Sequence, residues 1–212
     1  MLLCIGVGLA PAFKMRFWNI GGEGQVLVGG VAAAACMIYL APNMPLAPVL
    51  LIMFVLSALA GAIWGLIPAV FKARWNTNET LFTLMMNYIA LQITSFCVSK
   101  WENPYGSNTV GIINPTTNAG WFPSIFGQQY MLNVIIVVLI AVAMYLYLKY
   151  SKQGFEIAVV GESMNTARYA AINVKRVIIR TVMISGAICG IAGFIAVAGA
   201  GHTISTSTAG GR

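Results

Sequence analysis

The chain has 212 residues, of which 59% are hydrophobic and only 8% are charged, and its formal net charge is +7. A soluble domain usually carries about 25% charged residues, so this composition excludes a water-soluble globular fold. The basic residues stand singly or in pairs between apolar blocks, whereas nucleic-acid binding needs them in one patch, so no nucleic-acid partner is expected.

Five apolar blocks are each long enough to cross about 30 Å of hydrocarbon as a helix. They are predicted at 20–40, 49–71, 81–99, 130–148 and 177–198. The apolar stretch 1–12 is shorter and has no basic leader, so we expect the end of a truncated helix and not a signal peptide. The predicted fold is all-α: one incomplete transmembrane bundle over 1–212, with about five full spans and partial or re-entrant elements at the termini.

The distribution of Lys and Arg predicts the orientation in the lipid bilayer, because short loops rich in these residues stay in the cytoplasm. With alternating spans, only Lys100 and Arg212 fall on the outer side. The inner side collects the other basic residues, which are Lys14, Arg16, Lys72, Arg74, Lys149, Lys152, Arg168, Lys175, Arg176 and, close by, Arg180. Segment 149–176 is therefore predicted to be a cytoplasmic loop. Segment 100–129 is predicted to be an external loop with aromatic residues at the membrane interface.

Small residues recur at helical spacing in two of the predicted spans. In lipid, small side chains allow helices to approach closely where no hydrophobic force drives them together. We therefore predict helix packing through Ser57, Gly61, Gly65, Gly186 and Gly190.

The segment NIGGEGQ at 19–25 opens the first predicted span with three glycines and the carboxylate of Glu23. A carboxylate at this depth is costly unless it is paired or faces water, and Gly-rich backbone is tolerated there only inside protein or along a cavity. Two interpretations remain open. One is a broken or re-entrant helix end, as transporters use to build substrate sites; the other is an interfacial turn in which Glu23 pairs with Lys14 or Arg16.

No enzymatic centre is predicted. Segment 19–25 lacks the Lys-Ser/Thr pair of a phosphate-binding P-loop, and so does the rest of the sequence. The four cysteines lie far apart in apolar stretches, which favours a packing role. The single histidine, His202, has no Cys, Asp or Glu nearby to complete a metal or catalytic cluster. We therefore expect no cofactor and no metal, and any energy for transport comes from another subunit.

Two further segments contain polar groups of interest. Asn87 lies two turns inside a predicted span and needs a hydrogen-bond partner there, which is either another helix or a substrate. In GESMNTARYAAINV at 161–174, Ser163 is suited to cap a short helix. Met164, Ala167 and Ala171 would then form one apolar stripe. Such a helix either lodges in a groove on a partner or rests on lipid headgroups.

Three blocks in this order resemble permease subunits of bacterial ABC importers for simple sugars and nucleosides, within the larger group of branched-chain amino acid permeases. The blocks are NIGGEGQ at 19–25, GAIWGLIPAVFKARWNTNETLFTLMMNYIA at 61–90 and GESMNTARYAAINV at 161–174. The resemblance implies a multi-pass protein of the bacterial plasma membrane that moves a nucleoside or simple sugar inward. It implies three partners: a separate ABC ATPase, a second permease subunit and an external substrate-binding lipoprotein.

Site residues follow from the same resemblance. Glu23, Gln25 and Asn87 are expected along the substrate path, and Glu162, Asn165, Arg168 and Tyr169 are expected at the ATPase contact. The docking segment departs from the family pattern at four positions. Ser163 and Met164 stand where relatives often have Asn-Pro, Thr166 where Ala is usual and Ala171 where Gly is usual.

Two alternative functions stay open. One is an ion-coupled secondary transporter in which Glu23 or Glu79 binds the coupling ion; the other is a branched-chain amino acid ABC permease. A weaker pattern pairs the glycines at 21–24 with Gly210, Gly211 and Arg212. Five spans separate the two glycine clusters, which predicts an inverted repeat.

Overall fold

The computed structural model describes residues 1–124, 127–128 and 130–209. These residues form eight α-helices, a 3₁₀ turn at Ala41–Asn43 and a π-helical segment at Ile195–Gly201. The α-helices are α1 (Leu2–Lys14), α2 (Gly22–Tyr39), α3 (Leu46–Trp75), α4 (Glu79–Lys100), α5 (Met131–Tyr150), α6 (Lys152–Glu162), α7 (Met164–Tyr169) and α8 (Val174–Phe194). Helices α2, α3, α4, α5 and α8 are long and apolar enough to cross a membrane. The all-α polytopic fold is thereby confirmed, whereas the predicted inverted repeat depends on 210–212, outside the described residues.

The predicted spans and the observed helices differ mainly at their ends. α3 continues to Trp75, past the predicted end at 71, and stops where Asn76 takes a left-handed conformation with φ 51°. The Asn76 N–H still bonds to the Lys72 carbonyl, so the additional turn of α3 keeps its backbone hydrogen bond before the chain reverses. Segment 149–176 contains two helices, α6 and α7, where one was predicted.

Helix α8 is the centre of the bundle and packs against α1, α2 and α3. Glycines make this possible, because a Cβ at Gly61 would overlap the backbone of Gly186 and Gly190. Gly190 also meets α2, since a Cβ at Gly29 would lie 2.5 Å from the Gly190 Cα. The three helices therefore touch backbone to backbone, at a spacing that larger side chains would not permit.

Helix α5 lies at the periphery, with Val137 and Met144 as its buried residues. Large apolar side chains such as Leu139 and Val142 are more than half exposed. A contiguous apolar surface of this kind is unfavourable in water. Hydrocarbon is the solvent that it fits.

The two ends of the bundle are covered by different segments. At the end rich in Lys and Arg, which we call the basic end, the helix termini of α1, α3 and α8 meet α6 and α7 around a second apolar cluster. At the opposite end, segment 101–124 covers the ends of α2 and α8. The Asn114 side chain donates to the Met37 carbonyl over 2.8 Å, and the Ile113 N–H donates to the His202 carbonyl over 2.8 Å. The predicted external loop 100–129 lies here, although 125, 126 and 129 are outside the described residues.

Candidate functional site

The start of α2 is held against α4 by Asn87. Its side-chain oxygen accepts the backbone N–H of Gly24 over 2.9 Å, and its side-chain nitrogen donates to the Ile20 carbonyl over 2.9 Å. One turn earlier on α4, the Thr83 hydroxyl oxygen accepts the Ile20 N–H over 3.2 Å. The hydrogen-bond partner that Asn87 needs inside the bundle is therefore the backbone of another helix, and residues 15–21 before that helix are not helical.

The glycines of NIGGEGQ give α2 the room for this contact. A Cβ at Gly24 would lie 2.8 Å from the Asn87 side-chain oxygen and 3.2 Å from the Ala90 Cβ. A Cβ at Gly22 would meet the Leu9 side chain at 3.3 Å. Contacts near 3 Å are tighter than packed carbon atoms usually make, so glycine at 24 gives α4 the room for its close approach, whereas at 22 the Leu9 side chain would have to shift slightly.

Glu23 is exposed and faces a cavity of 450 Å³ between α2, α4 and the segment after α8. The other lining residues are Leu84, Asn87, Tyr88, Leu91, Thr206 and Ser207. The interfacial pairing of Glu23 with Lys14 or Arg16 is not formed within 4 Å, since the ion pairs of the described residues are Lys72–Glu79 and Arg180–Glu156. The Glu23 carboxylate is thus available to a solute in the cavity.

Gln25 lies elsewhere, buried between helices. Its side-chain oxygen accepts from Asn19 over 3.4 Å. A Cβ added at Gly65 of α3 would lie 3.1 Å from the side-chain nitrogen of Gln25. The structure therefore brings Glu23 and Asn87 together at one cavity and places Gln25 behind them, in the contact between α2 and α3.

Segment 203–208 contributes lining residues that the sequence analysis missed. After His202 the chain turns back along α2, so that a Cβ at Gly30 would meet the Ile204 side chain at 3.0 Å. Side-chain hydrogen bonds close the turn, with the Thr208 hydroxyl oxygen accepting the Ser205 N–H over 2.9 Å. The available signal was composition, since five of the six residues at 203–208 are Ser or Thr and directly follow an apolar span.

The predicted docking residues lie on the surface of the basic end. Glu162, Asn165, Arg168 and Tyr169 are all exposed, and Tyr169 has 94% of its surface accessible. Ser163 caps α7 as predicted by accepting the Thr166 N–H over 3.3 Å.

The predicted apolar stripe of Met164, Ala167 and Ala171 is not formed. Ala167 is fully buried, whereas Met164 and Ala171 are exposed. The reason is that α7 ends at Tyr169, so Ala171 is not on the helix.

The end of α7 is a Schellman motif. The Ile172 N–H bonds to the Ala167 carbonyl over 2.9 Å, and the Ala171 N–H bonds to the Arg168 carbonyl over 3.0 Å. Ala171 takes φ 57°, the left-handed conformation that this motif requires and that glycine adopts most readily. Glycine would therefore be less strained than alanine at this position.

Apolar contacts anchor α6 and α7 to the spanning helices. Ala167 of α7 and Ile157 of α6 belong to the same buried cluster as Ala69 of α3 and Val177 of α8. Gly161 abuts the carbonyl of Lys14 at the end of α1. Helices α6 and α7 are therefore packed directly against α1, α3 and α8.

A recess of 470 Å³ with basic walls lies beside α7. Arg74 of α3, Arg168 of α7 and Lys175 of α8 line it together with Lys72, which pairs with Glu79 at 2.8 Å. Their summed charge raises the local concentration of anionic groups. An acidic surface on a partner is the kind of surface this recess attracts.

Metal-ligating side chains form no cluster of three in the described residues. Across 1–124, 127–128 and 130–209, three His, Cys, Asp or Glu side chains nowhere come together as a metal site requires. Cys4, Cys36 and Cys189 are buried as free thiols. Cys4 lies 3.8 Å from the Ile188 carbonyl, in the contact between α1 and α8.

Comparison with known proteins places these features in context. The family profile described as branched-chain amino acid transport system, permease component, matches residues 1–210. The guanosine ABC transporter permease protein NupP of Bacillus subtilis is 35% identical over 194 residues, which are 89% of this chain and 54% of that protein. The nucleoside ABC transporter permease protein NupB of Lactococcus lactis is 26% identical over 92% of this chain and 55% of its own.

A third relative is the glucose ABC transporter permease protein TsgB13 of Haloferax volcanii, which is 25% identical over 93% of this chain and 54% of its own. The chain spans about half the length of the curated relatives it matches. No solved structure matches it significantly.

Proposed function

Because this chain belongs to the family of permease components of branched-chain amino acid transport systems, we propose that it forms part of the membrane channel of an ABC importer. It is a multi-pass integral protein of the plasma membrane. The proposed cargo is a nucleoside or simple sugar, the proposed engine is a separate ABC ATPase, and the proposed route passes the cavity that Glu23 and Asn87 line.

The observation that carries the proposal is the construction of α7. Its partner-facing side chains are exposed, while Ala167 at its base is fully buried in a cluster shared with α3 and α8. A helix that lay only on lipid headgroups would present an apolar face outward, whereas the exposed face of α7 carries Asn165, Arg168 and Tyr169. This arrangement suits a contact that receives force from a partner and passes it into the bundle.

The chemistry of the cavity favours a neutral solute. Glu23 is the one charged group among the lining residues in the described part of the chain, and no Lys or Arg lines the cavity. An anionic solute would meet a carboxylate there without a balancing cation. A branched-chain amino acid could place its ammonium group on Glu23 but would leave its carboxylate without a cation, whereas a nucleoside or sugar donates hydroxyl and N–H groups to Glu23 and carries no charge.

Two further partners complete the proposal. Importers of this design place two permease subunits side by side and receive cargo from a substrate-binding lipoprotein outside the membrane. Segment 101–124 and the aromatic residues of the end opposite to α7 are the proposed receiving surface for that lipoprotein. The basic end is the cytoplasmic side under this proposal, in line with its Lys and Arg content.

The docking role of α7 is tested by Arg168→Glu in the intact transporter, assembled in proteoliposomes with its ATPase and binding protein. We expect ATP-dependent uptake to fall at least tenfold with unchanged protein level, because the reversed charge repels the acidic surface that fits the recess. Lys152→Glu is the matched control, since Lys152 is exposed on α6 at the same end and does not line the recess.

Normal ATP-dependent uptake by Arg168→Glu would refute the docking role. Uptake that continues without ATP and follows an ion gradient would instead support an ion-coupled transporter, with Glu23 as the group that binds the ion.

A further inference from the structure

The cavity at the start of α2 combines three kinds of surface. Glu23 supplies a carboxylate, Tyr88 supplies an aromatic ring that is 64% exposed, and Thr206 and Ser207 supply hydroxyl groups. Its volume of 450 Å³ lies in the range of pockets that hold small organic molecules. One cavity thus offers a planar stacking surface and polar groups within reach of one ligand.

Glu23 determines which ligand groups fit, since an ionised carboxylate accepts hydrogen bonds and donates none. Asn87 uses its side-chain oxygen for the Gly24 N–H and one of its two side-chain N–H groups for the Ile20 carbonyl, which leaves a single N–H for a ligand. The two carboxylate oxygens are best satisfied by two adjacent N–H groups that point the same way, as in bidentate charge-assisted pairs.

Tyr88 adds a flat surface beside that carboxylate. Leu84 and Leu91 lie one turn to either side of Tyr88 along α4 and line the same cavity, so the ring belongs to an apolar wall. Aromatic side chains stack with nucleobases and tolerate any base, since every base has a π-face. The apolar wall therefore favours a planar ligand group, and the Glu23 carboxylate favours a group with N–H donors along one edge.

On these grounds, and resting on the proposed nucleoside transport, we propose that Glu23 and Tyr88 form a nucleobase subsite for guanine-type edges. Guanine carries N–H donors on the adjacent N1 and exocyclic N2 atoms. Hypoxanthine keeps the N1 donor and lacks the amino group, and adenine offers a single amino group between acceptor nitrogens. The hydroxyl groups of Thr206 and Ser207 then lie on the side of the ribose.

The test uses the transporter in nanodiscs without its binding protein, so that selection by that protein plays no part. Saturation-transfer NMR titrations give Kd values for guanosine and inosine. We expect guanosine to bind about tenfold more tightly, because the lost amino group removes one charge-assisted hydrogen bond. In Glu23→Gln the ratio should shrink to near one, because the amide presents one acceptor and one donor.

Tyr88 supplies an independent measurement on the same samples. Tyr88→Phe should keep both Kd values within about twofold, and Tyr88→Ala should weaken both nucleosides by at least about fivefold, since stacking on the ring is lost. Thermal midpoints of all variants report whether each one is folded.

Three outcomes would overturn the subsite: equal Kd values for guanosine and inosine in the unmodified protein, a ratio that survives in Glu23→Gln, or no binding of either nucleoside. The proposed function fails separately, when the assembled transporter shows no ATP-driven nucleoside or sugar uptake.

Discussion

Asn87 and Gly24 are joined by a 2.9 Å hydrogen bond, in which the side-chain oxygen of Asn87 accepts the backbone N–H of Gly24. The bond fixes the first turn of α2 against α4, and Glu23 is the residue directly before Gly24. The orientation of the Glu23 carboxylate in the cavity therefore depends on the contact between the Gly24 backbone and the Asn87 side chain. Asn87 borders the cavity and also positions the charged group that faces it.

Gly24→Ala should destabilise the protein by about 1–3 kcal/mol, because its Cβ would push against the Asn87 side-chain oxygen at 2.8 Å and the Ala90 Cβ at 3.2 Å. The thermal midpoint in nanodiscs measures this change. Gly6→Ala is the control, since nothing lies within 4 Å of the added Cβ in α1 and alanine favours helix. Equal midpoints for the two variants would contradict the close contact.

Ala171→Gly should stabilise the segment around α7 by about 1 kcal/mol, because Ala171 adopts a left-handed φ of 57° that glycine adopts without strain. Hydrogen exchange of the amides of Ala171 and Ile172 should slow, since both N–H groups are bonded in the Schellman motif. Ala170→Gly serves as control, because Ala170 has φ −79° and gains nothing. Faster exchange in Ala171→Gly would show that the motif is not formed.

Arg180 of α8 and Glu156 of α6 form an ion pair with 2.9 Å between Nη2 and Oε2, and their side chains are 29% and 20% exposed. Arg180→Glu should lower the thermal midpoint by placing two carboxylates together. The swap Arg180→Glu with Glu156→Arg should recover part of the loss, with a coupling energy of about 1 kcal/mol. Arg176→Glu, at an exposed position of the same helix, controls for the change in net charge. If the effects of the two single substitutions simply added in the double variant, the ion pair between Arg180 and Glu156 would be excluded.

His202 predicts a pH dependence of stability. Burial lowers the pKa of its imidazole below the ordinary value, and the ring stacks on Trp121 with centroids 3.8 Å apart. As the pH falls through the ordinary pKa toward the lowered one, the unfolded chain binds the proton first, so the folded state loses stability. Above the ordinary pKa the stability from this group is complete and no longer changes.

Thermal midpoints between about pH 8 and about pH 5 measure the effect. His202→Asn removes the only histidine of the chain, and Asn tolerates the left-handed φ of 49° at this position. The midpoint of this variant should vary less over that range. An unchanged pH profile would assign the dependence to other groups.

The sequence predicts the spanning helices well because apolar length is a strong signal and the bilayer fixes the length required. Ser57, Gly61, Gly186 and Gly190 could also be selected from the sequence, because small residues four positions apart are the usual pattern of close helix packing in lipid. The structure shows what they contact, which is backbone of the facing helix.

Other features could not be predicted from the sequence because tertiary contacts determine them. Helix α6 carries Gly154 and Gly161, residues that usually mark turns, yet both glycines fit against backbone carbonyls of neighbouring segments. Gln25 is near Glu23 in sequence, but the turn of α2 directs the two side chains to different sides. The return of 203–208 toward α4 has no periodicity from which it could be predicted.

The glycine contacts of α8 bear on how the molecule changes shape. We expect α2, α3 and α8 to move as one unit, because their main chains touch without intervening side chains. We therefore expect any relative motion of the long helices at α4 and α5, which lie outside this unit. The hydrogen bonds of Asn87 to Ile20 and Gly24 are the contacts that such a motion of α4 would have to change.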